Sequence, residues 1–148
     1  MAHIHHTSRI GATVDQVYRV ARDPQTWSTW YVGLEGPESL TGSGEAGTVG
    51  NFAFMLAGMR FPVTVEVLED AQSSDGASWT GRIGGPLEGE HHWTYRPHGD
   101  ETEVTLDVTY TVPGSALGRL ADKIVLEKMM ERNMHNSVEN LRTVCENC

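Results

Sequence analysis

The residues best suited to chemistry are two carboxylates one helical turn apart, Glu127 and Glu131, near the end of the chain. At about 100° per residue they fall inside the apolar stripe of a long helical segment, between Ile124 and Met134. A carboxyl facing an apolar cavity has its charged form disfavoured by desolvation and by a like-charged neighbour. The pair would then be poised for general acid or base work near neutral pH. The opposing reading is that the helix curves and lets a carboxylate reach solvent or pair with Lys128, Arg132 or His135. The sequence leaves both readings open.

Histidine raises a second chemistry, since there are seven, with His3, His5 and His6 near one end and His91-His92 further on. Zinc needs three or four converging ligands. Neighbouring strand residues point to opposite faces, so His5 and His6 diverge, as do His91 and His92. Only His6 and His91 share the inner faces. Meeting in a cavity they would shuttle protons or join Glu127 or Glu131 as ligands, but no metal or other cofactor is expected. Cys145 and Cys148 form a C-x-x-C that closes the chain instead of opening a helix after a strand, which argues against a redox motif. The run Gly42 to Gly47 lacks the Lys of a phosphate loop and carries Glu45. No Ser-His-Asp or Cys-His set stands out as a nucleophile, so hydrolysis is disfavoured.

The elements that must position these residues follow from periodicity. Ile4 to Ile10 reads as a short strand. Thr13 is an N-cap ahead of Val14, Val17, Tyr18 and Ala21 at helical spacing, and Pro24 stops that helix. Trp27, Trp30 and Tyr31 suit a second, short helix with an aromatic face. From Pro37 to Pro113 the period becomes two, most cleanly at Val104, Leu106, Val108, Tyr110 and Val112. The breaks at Gly42 to Gly50, Gly58, Asp75-Gly76, Gly84 to Pro86 and Gly99-Asp100 make an antiparallel meander of about six strands. The last segment, Ser115 to about Cys145, predicts a long helix with Leu120, Ile124, Met134, Val138, Leu141 and Cys145 on one stripe and Met130 at its edge. It would cover the apolar face of the sheet.

At 148 residues the chain is one domain, large enough to bury a core without disulfides or metals. Eleven Lys and Arg against twenty Asp and Glu give a net charge of −9, which argues against nucleic acid and anionic membranes as partners. The apolar runs are too short to span a bilayer and no signal peptide is legible, so a cytoplasmic protein without membrane insertion is expected. Monomer and homodimer are both compatible with the sequence.

The element order resembles the helix-grip fold of the SRPBCC superfamily, which holds START domains, birch-pollen-allergen-like proteins and the polyketide cyclase/dehydrase group. "ATVDQVYRVARDPQTWSTWY" is similar to that group's first helix followed by Asp-Pro and a Trp-x-x-Trp turn, and Pro113-Gly114 before a long closing helix is similar as well. The resemblance implies an α+β domain over residues 1–148, with a curved antiparallel sheet of about six to seven strands wrapped round the C-terminal helix. Two short helices would follow the first strand, and an elongated apolar cavity would lie between sheet and long helix.

The expected ligand is a hydrophobic, aromatic or polyketide-like small molecule. Its walls would be Trp30, Tyr31, Phe52, Phe54, Leu56, Val65, Trp79, Trp93 and Tyr110, with Leu120, Ile124 and Glu127 from the helix. An enzyme of this kind would hold a flexible chain for cyclisation or dehydration, with Glu131, Tyr95 and His91 as proton-transfer residues. The alternatives are a non-catalytic carrier or sensor of an apolar metabolite, and a co-chaperone-like interaction module with a filled core. Fold alone does not choose among them.

Overall fold

The structure, a computed structural model, describes residues 2–111 and 123–147. Seven strands form one antiparallel sheet: β1 (Ala2–Ile10), β2 (Leu34–Thr41), β3 (Val49–Leu56), β4 (Met59–Ser73), β5 (Gly76–Gly84), β6 (Glu88–His98) and β7 (Glu101–Thr111). Their order across the sheet is β1-β7-β6-β5-β4-β3-β2, so every connection after β2 is a hairpin and β1 closes on β7. Two short helices, α1 (Val14–Ala21) and α2 (Trp27–Trp30), link β1 to β2, and the long α3 (Lys123–Glu146) packs against β1, α1 and α2. This is the helix-grip arrangement, a curved sheet around a long C-terminal helix.

Local sequence explains the elements. Thr13 accepts from the Gln16 backbone N–H at 3.3 Å while Gln16 Oε1 accepts from the Thr13 N–H at 3.0 Å, a reciprocal cap that starts α1. Strict alternation gives β7 its pattern, with Thr102, Val104, Leu106, Val108 and Tyr110 all buried. Strand β2 went unassigned from the sequence because it does not alternate. Its register with β3 shifts between Glu35 and Ser39, and a cis Gly36-Pro37 peptide lies in that interval.

The core lies between the inner face of the sheet and α3. Met134, Val138 and Leu141 have no exposed surface, and burying each such side chain is worth about 1.5–3 kcal/mol. Polar ties fix the outer elements onto this core. Ser8 Oγ donates to Glu139 at 3.1 Å and the Gly11 N–H to Glu146 at 2.7 Å, holding β1 to α3. Tyr18 Oη and the Arg22 guanidinium both donate to Asp70, anchoring α1 where β4 bulges between Val67 and Glu69. Burial alone would raise the pKa of Asp70, but the bonds from Arg22 and Tyr18 outweigh it and hold the carboxyl below its ordinary value.

Two sequence expectations for α3 change. Ile124 is 62% exposed, and the buried residues are Leu126, Met130, Met134, Ser137, Val138, Leu141 and Cys145. At about 100° per residue these seven fall in one sector about 120° wide, rotated from the predicted stripe towards Leu126 and Met130, and Ile124 lies outside it. Around Leu126 and Met130 that face points about 120° away from Glu131. Glu131 is accordingly exposed, while Glu127 is half-buried and pairs with Lys123 at 3.9 Å. The predicted helix start at Ser115, Pro113-Gly114, Val112, Leu120 and Cys148 lie outside the described residues.

Candidate functional site

The sheet's inner face and α2 enclose two adjoining chambers, each with a cavity volume of about 40 Å³. Trp27, Trp30, Val65, Trp79, Trp93 and Tyr95 wall the first. Phe54, Val63, Leu87, Val108, Tyr110 and Met130 wall the second, beside Glu88 and Gly89. Four residues, Tyr31, Leu34, Ile83 and His91, line both.

The first chamber is an aromatic box. Trp27 meets Trp79 edge-on at 5.4 Å, Trp30 meets Trp93 edge-on at 5.6 Å, and Trp93 stacks on Tyr95 at 6.2 Å. Such pairs favour offset or edge contacts because the ring quadrupoles oppose face-to-face packing. Gly81 makes room for this arrangement, since a Cβ there would fall inside contact distance of the Trp79 ring. The Trp27 indole donates to the Ala21 carbonyl at 2.9 Å and so ties α2 to α1.

The partition between the chambers is a hydrogen bond between Tyr31 Oη and His91 Nε2, residues that line both. Tyr31 caps the end of α2, and that turn is held on α3 by two bonds. Ser137 Oγ accepts from the Val32 N–H at 2.9 Å, and Asn140 Nδ2 donates to the Trp30 carbonyl at 3.1 Å. Across from it, His91 sits mid-strand, in register with Gly81 on β5 and Val108 on β7.

Burial pushes the His91 pKa down to about 4, so the ring is neutral at physiological pH, and burial raises that of the Tyr31 hydroxyl. The same hydroxyl lies 3.3 Å from Met134 Sδ. The hydroxyl can donate to the thioether while accepting from Nε2–H, which leaves Nδ1 as a bare acceptor, or donate to Nε2 itself. Among the described residues His91 Nδ1 has no hydrogen-bond partner, and neither do Trp79 Nε1, Tyr110 Oη and His6 Nε2. The Tyr110 pKa is pushed up to about 12 by burial, with the charges of Glu127 and Glu131 adding to it.

The structure therefore brings together His91, Tyr95, Trp30, Tyr31, Val65, Trp79 and Trp93 around the first chamber, and Phe54 and Tyr110 around the second. Phe52 and Leu56 are buried core residues outside both linings, Phe52 lying against Trp27 at 5.6 Å. Ile124 and Glu131 face solvent, and Glu127 lies at the edge. His6 is not near His91; it packs edge-on against His135 at 4.6 Å beneath α3. Sequence reasoning missed Leu34 and Leu87 as lining residues. The first lies on the irregular β2, and the second follows the Gly84-Gly85-Pro86 turn, where no period signals which way a side chain points.

Among the described residues no group of His, Cys, Asp and Glu is arranged to hold a metal ion. No helix among them is long and apolar enough to cross a membrane.

A seven-stranded antiparallel grip around a long C-terminal helix, with an aromatic cavity on the sheet's inner face, defines the SRPBCC class of domain. The family model described as "Polyketide cyclase / dehydrase and lipid transport" matches residues 1–146, and the chain belongs to that family. Among solved structures it is similar to the Thermus thermophilus protein TTHA0849, with 22% identity, TM-score 0.75 and 97% of each chain covered. It is also similar to the Zhui aromatase/cyclase of a Streptomyces species, at 16% identity and TM-score 0.76, covering 98% of this chain and 93% of that one. A norcoclaurine synthase from Thalictrum flavum, solved with dopamine and hydroxybenzaldehyde, matches at 15% identity and TM-score 0.63, covering 97% and 85%. These likenesses establish the fold. No curated protein sequence matches the chain.

Proposed function

We propose that this chain binds a hydrophobic, aromatic or polyketide-like small molecule between its sheet and α3. The observation that carries the reading is the pair of aromatic chambers meeting at the Tyr31–His91 bond. Mostly apolar walls with a few convergent polar atoms are what a ligand site of this kind needs.

As they stand, the chambers are small. About 40 Å³ holds roughly two or three waters. Swinging the Tyr31 phenol off His91 joins the two volumes, and the binding energy of the ligand must cover the loss of that hydrogen bond.

The geometry favours holding a ligand over acid or base catalysis. Of the expected proton-transfer residues, Glu131 faces solvent, and Tyr95 is a buried phenol whose pKa burial raises well above its ordinary value. Neutral His91, with a pKa near 4, is a weak base at pH 7. Its neutral ring carries one N–H donor and one bare nitrogen, and the N–H side is the one that would hold a ligand oxygen. A carbonyl held this way is polarised, and any cyclisation or dehydration would gain from that and from the held geometry. A carrier or sensor needs only the holding.

The test is native mass spectrometry of the protein purified from its own host, with denaturation to release and identify what it carries. A hydrophobic molecule at one per chain is the expected result. A protein that is empty, and that also takes up none of a panel of aromatic compounds, would overturn the reading.

A further inference from the structure

The seam where α3 lies over the edge strand β1 is polar at its middle. The inward positions of β1 run Ile4, His6, Ser8 and Ile10, so two polar residues interrupt an otherwise apolar row. Ser8 Oγ donates to Glu139 at 3.1 Å. One turn earlier on α3, the exposed His135 meets the His6 ring edge-on, with ring centres 4.6 Å apart. His6 Nε2 is buried and has no hydrogen-bond partner among the described residues, a condition native proteins rarely tolerate without a reason.

The groups around His6 decide how it responds to acid. On α3 they are His135, a like charge once protonated, and Glu139, which favours a protonated ring but is already engaged by Ser8 and by Arg142 at 3.6 Å. On β1 the neighbour is His5, whose ring bonds Asp107 on the outer face at 2.6 Å. On β7 the residue in register is Leu106, flanked on the same face by Val104 and Val108, so that strand brings no charge inward. Burial and His135 together outweigh Glu139 and hold the His6 pKa below its ordinary value; the seam is fitted to a neutral ring. The same stretch of α3 holds the Tyr31 turn. Met134, whose Sδ lies 3.3 Å from Tyr31 Oη, directly precedes His135, and Ser137, two residues on, accepts from the Val32 N–H.

We propose that His6 and His135 form an acid-operated latch that joins β1 to α3 and, through α3, governs how firmly the Tyr31 turn is held. At neutral pH two uncharged rings pack in the seam. Protonation puts like charges in contact beside a buried nitrogen, and separating β1 from α3 lets both be hydrated. The latch therefore opens as the pH falls. Its use rests on the ligand-binding reading above: a loosened turn lets the Tyr31 phenol leave His91 more readily, so an occupant is released in acid.

The test is amide hydrogen exchange of the empty protein at about pH 7.5 and about pH 5.5, expressed as protection factors so that the intrinsic pH dependence of exchange divides out. Opening returns His6 to its ordinary pKa of 6.5, so the open form gains up to about tenfold between those two values. Wild-type protection is expected to fall by up to about tenfold at the β1 amides and at Val32. In His6→Gln, which cannot titrate, the fall should vanish. His135→Gln alters an exposed side chain and is expected to fold as the wild type does; it removes the like charge and should shrink the fall, which keeps the test decisive if His6→Gln does not fold. His91 is common to all three proteins and cancels. No fall in wild type, or an equal fall in wild type and both variants, would overturn the latch. A fall confined to β1 with Val32 unmoved would overturn its link to the Tyr31 turn. Because no ligand is present, the latch fails or stands separately from the ligand-binding reading.

Discussion

Replacing His91 by Gln tests whether its burial is as severe as the structure makes it. In the folded protein the imidazole stays neutral down to about pH 4, whereas in the unfolded chain it takes up a proton near 6.5. Between those values the unfolded state binds more protons, so stability rises with pH. The His91 contribution is complete above about pH 6.5 and is lost as the pH falls to 4. A gap of 6.5 − 4 = 2.5 corresponds to about 3 kcal/mol at about 1.36 kcal/mol per pH unit. Urea denaturation of wild type and His91→Gln at a series of pH values between 7 and 4 isolates it. The burial of His6, whose pKa is also lowered, and the held-down carboxylates are common to both proteins and cancel. Wild type should lose about 3 kcal/mol more than the variant across that window, a melting-temperature difference on the order of 10 °C at the acid end. Parallel curves would refute the reasoning and mean that water or a second partner reaches His91.

The polar ties give further expectations. Asp70→Asn removes the charged acceptor shared by Tyr18 and Arg22 and should cost about 1–3 kcal/mol in urea denaturation. Ser137→Ala leaves the Val32 N–H without its acceptor, at a similar cost of about 1–3 kcal/mol. Because that bond holds the turn bearing Tyr31, hydrogen exchange at Val32 should also speed up. Gly81→Ala pushes a methyl group into the Trp79 ring, so it should destabilise by about 1–3 kcal/mol and shift tryptophan emission.

Legibility in the sequence followed regularity. Strand β7 and the inner faces of β4 and β6 were readable because one face is buried against core and the other meets water, which forces period two. The Thr13 cap and the break before Pro24 were readable because capping chemistry is local. The aromatic members of the site were readable as inward positions of those strands. What failed was what depends on tertiary shape. Ile124 and Glu131 were misplaced because the stripe was drawn through Leu120 and Ile124 instead of Leu126 and Met130, and which edge of an amphipathic helix is buried depends on how α3 meets the sheet. Phe52 and Leu56 were placed on the correct side of β3, yet inward-facing does not distinguish a packed side chain from a cavity wall. The Tyr31–His91 bond joins residues 60 positions apart through a turn fixed by Ser137 and Asn140, and no spacing announces it.

The central claim is that an aromatic ligand enters between sheet and α3 at the Tyr31–His91 partition. Its most direct test is an amide and indole N–H correlation spectrum recorded while 2-naphthol is titrated in. The four tryptophans give four indole signals; those of Trp27 and Trp30 are hydrogen-bonded to Ala21 and Thr26, whereas that of Trp79 is buried without a partner among the described residues. The account predicts saturable shifts of the Trp79 indole and of the His91 and Tyr31 amides, with the outward-facing residues of β6 such as His92 unmoved. Shifts confined to the outer face of the sheet, or none at saturating 2-naphthol, would contradict it.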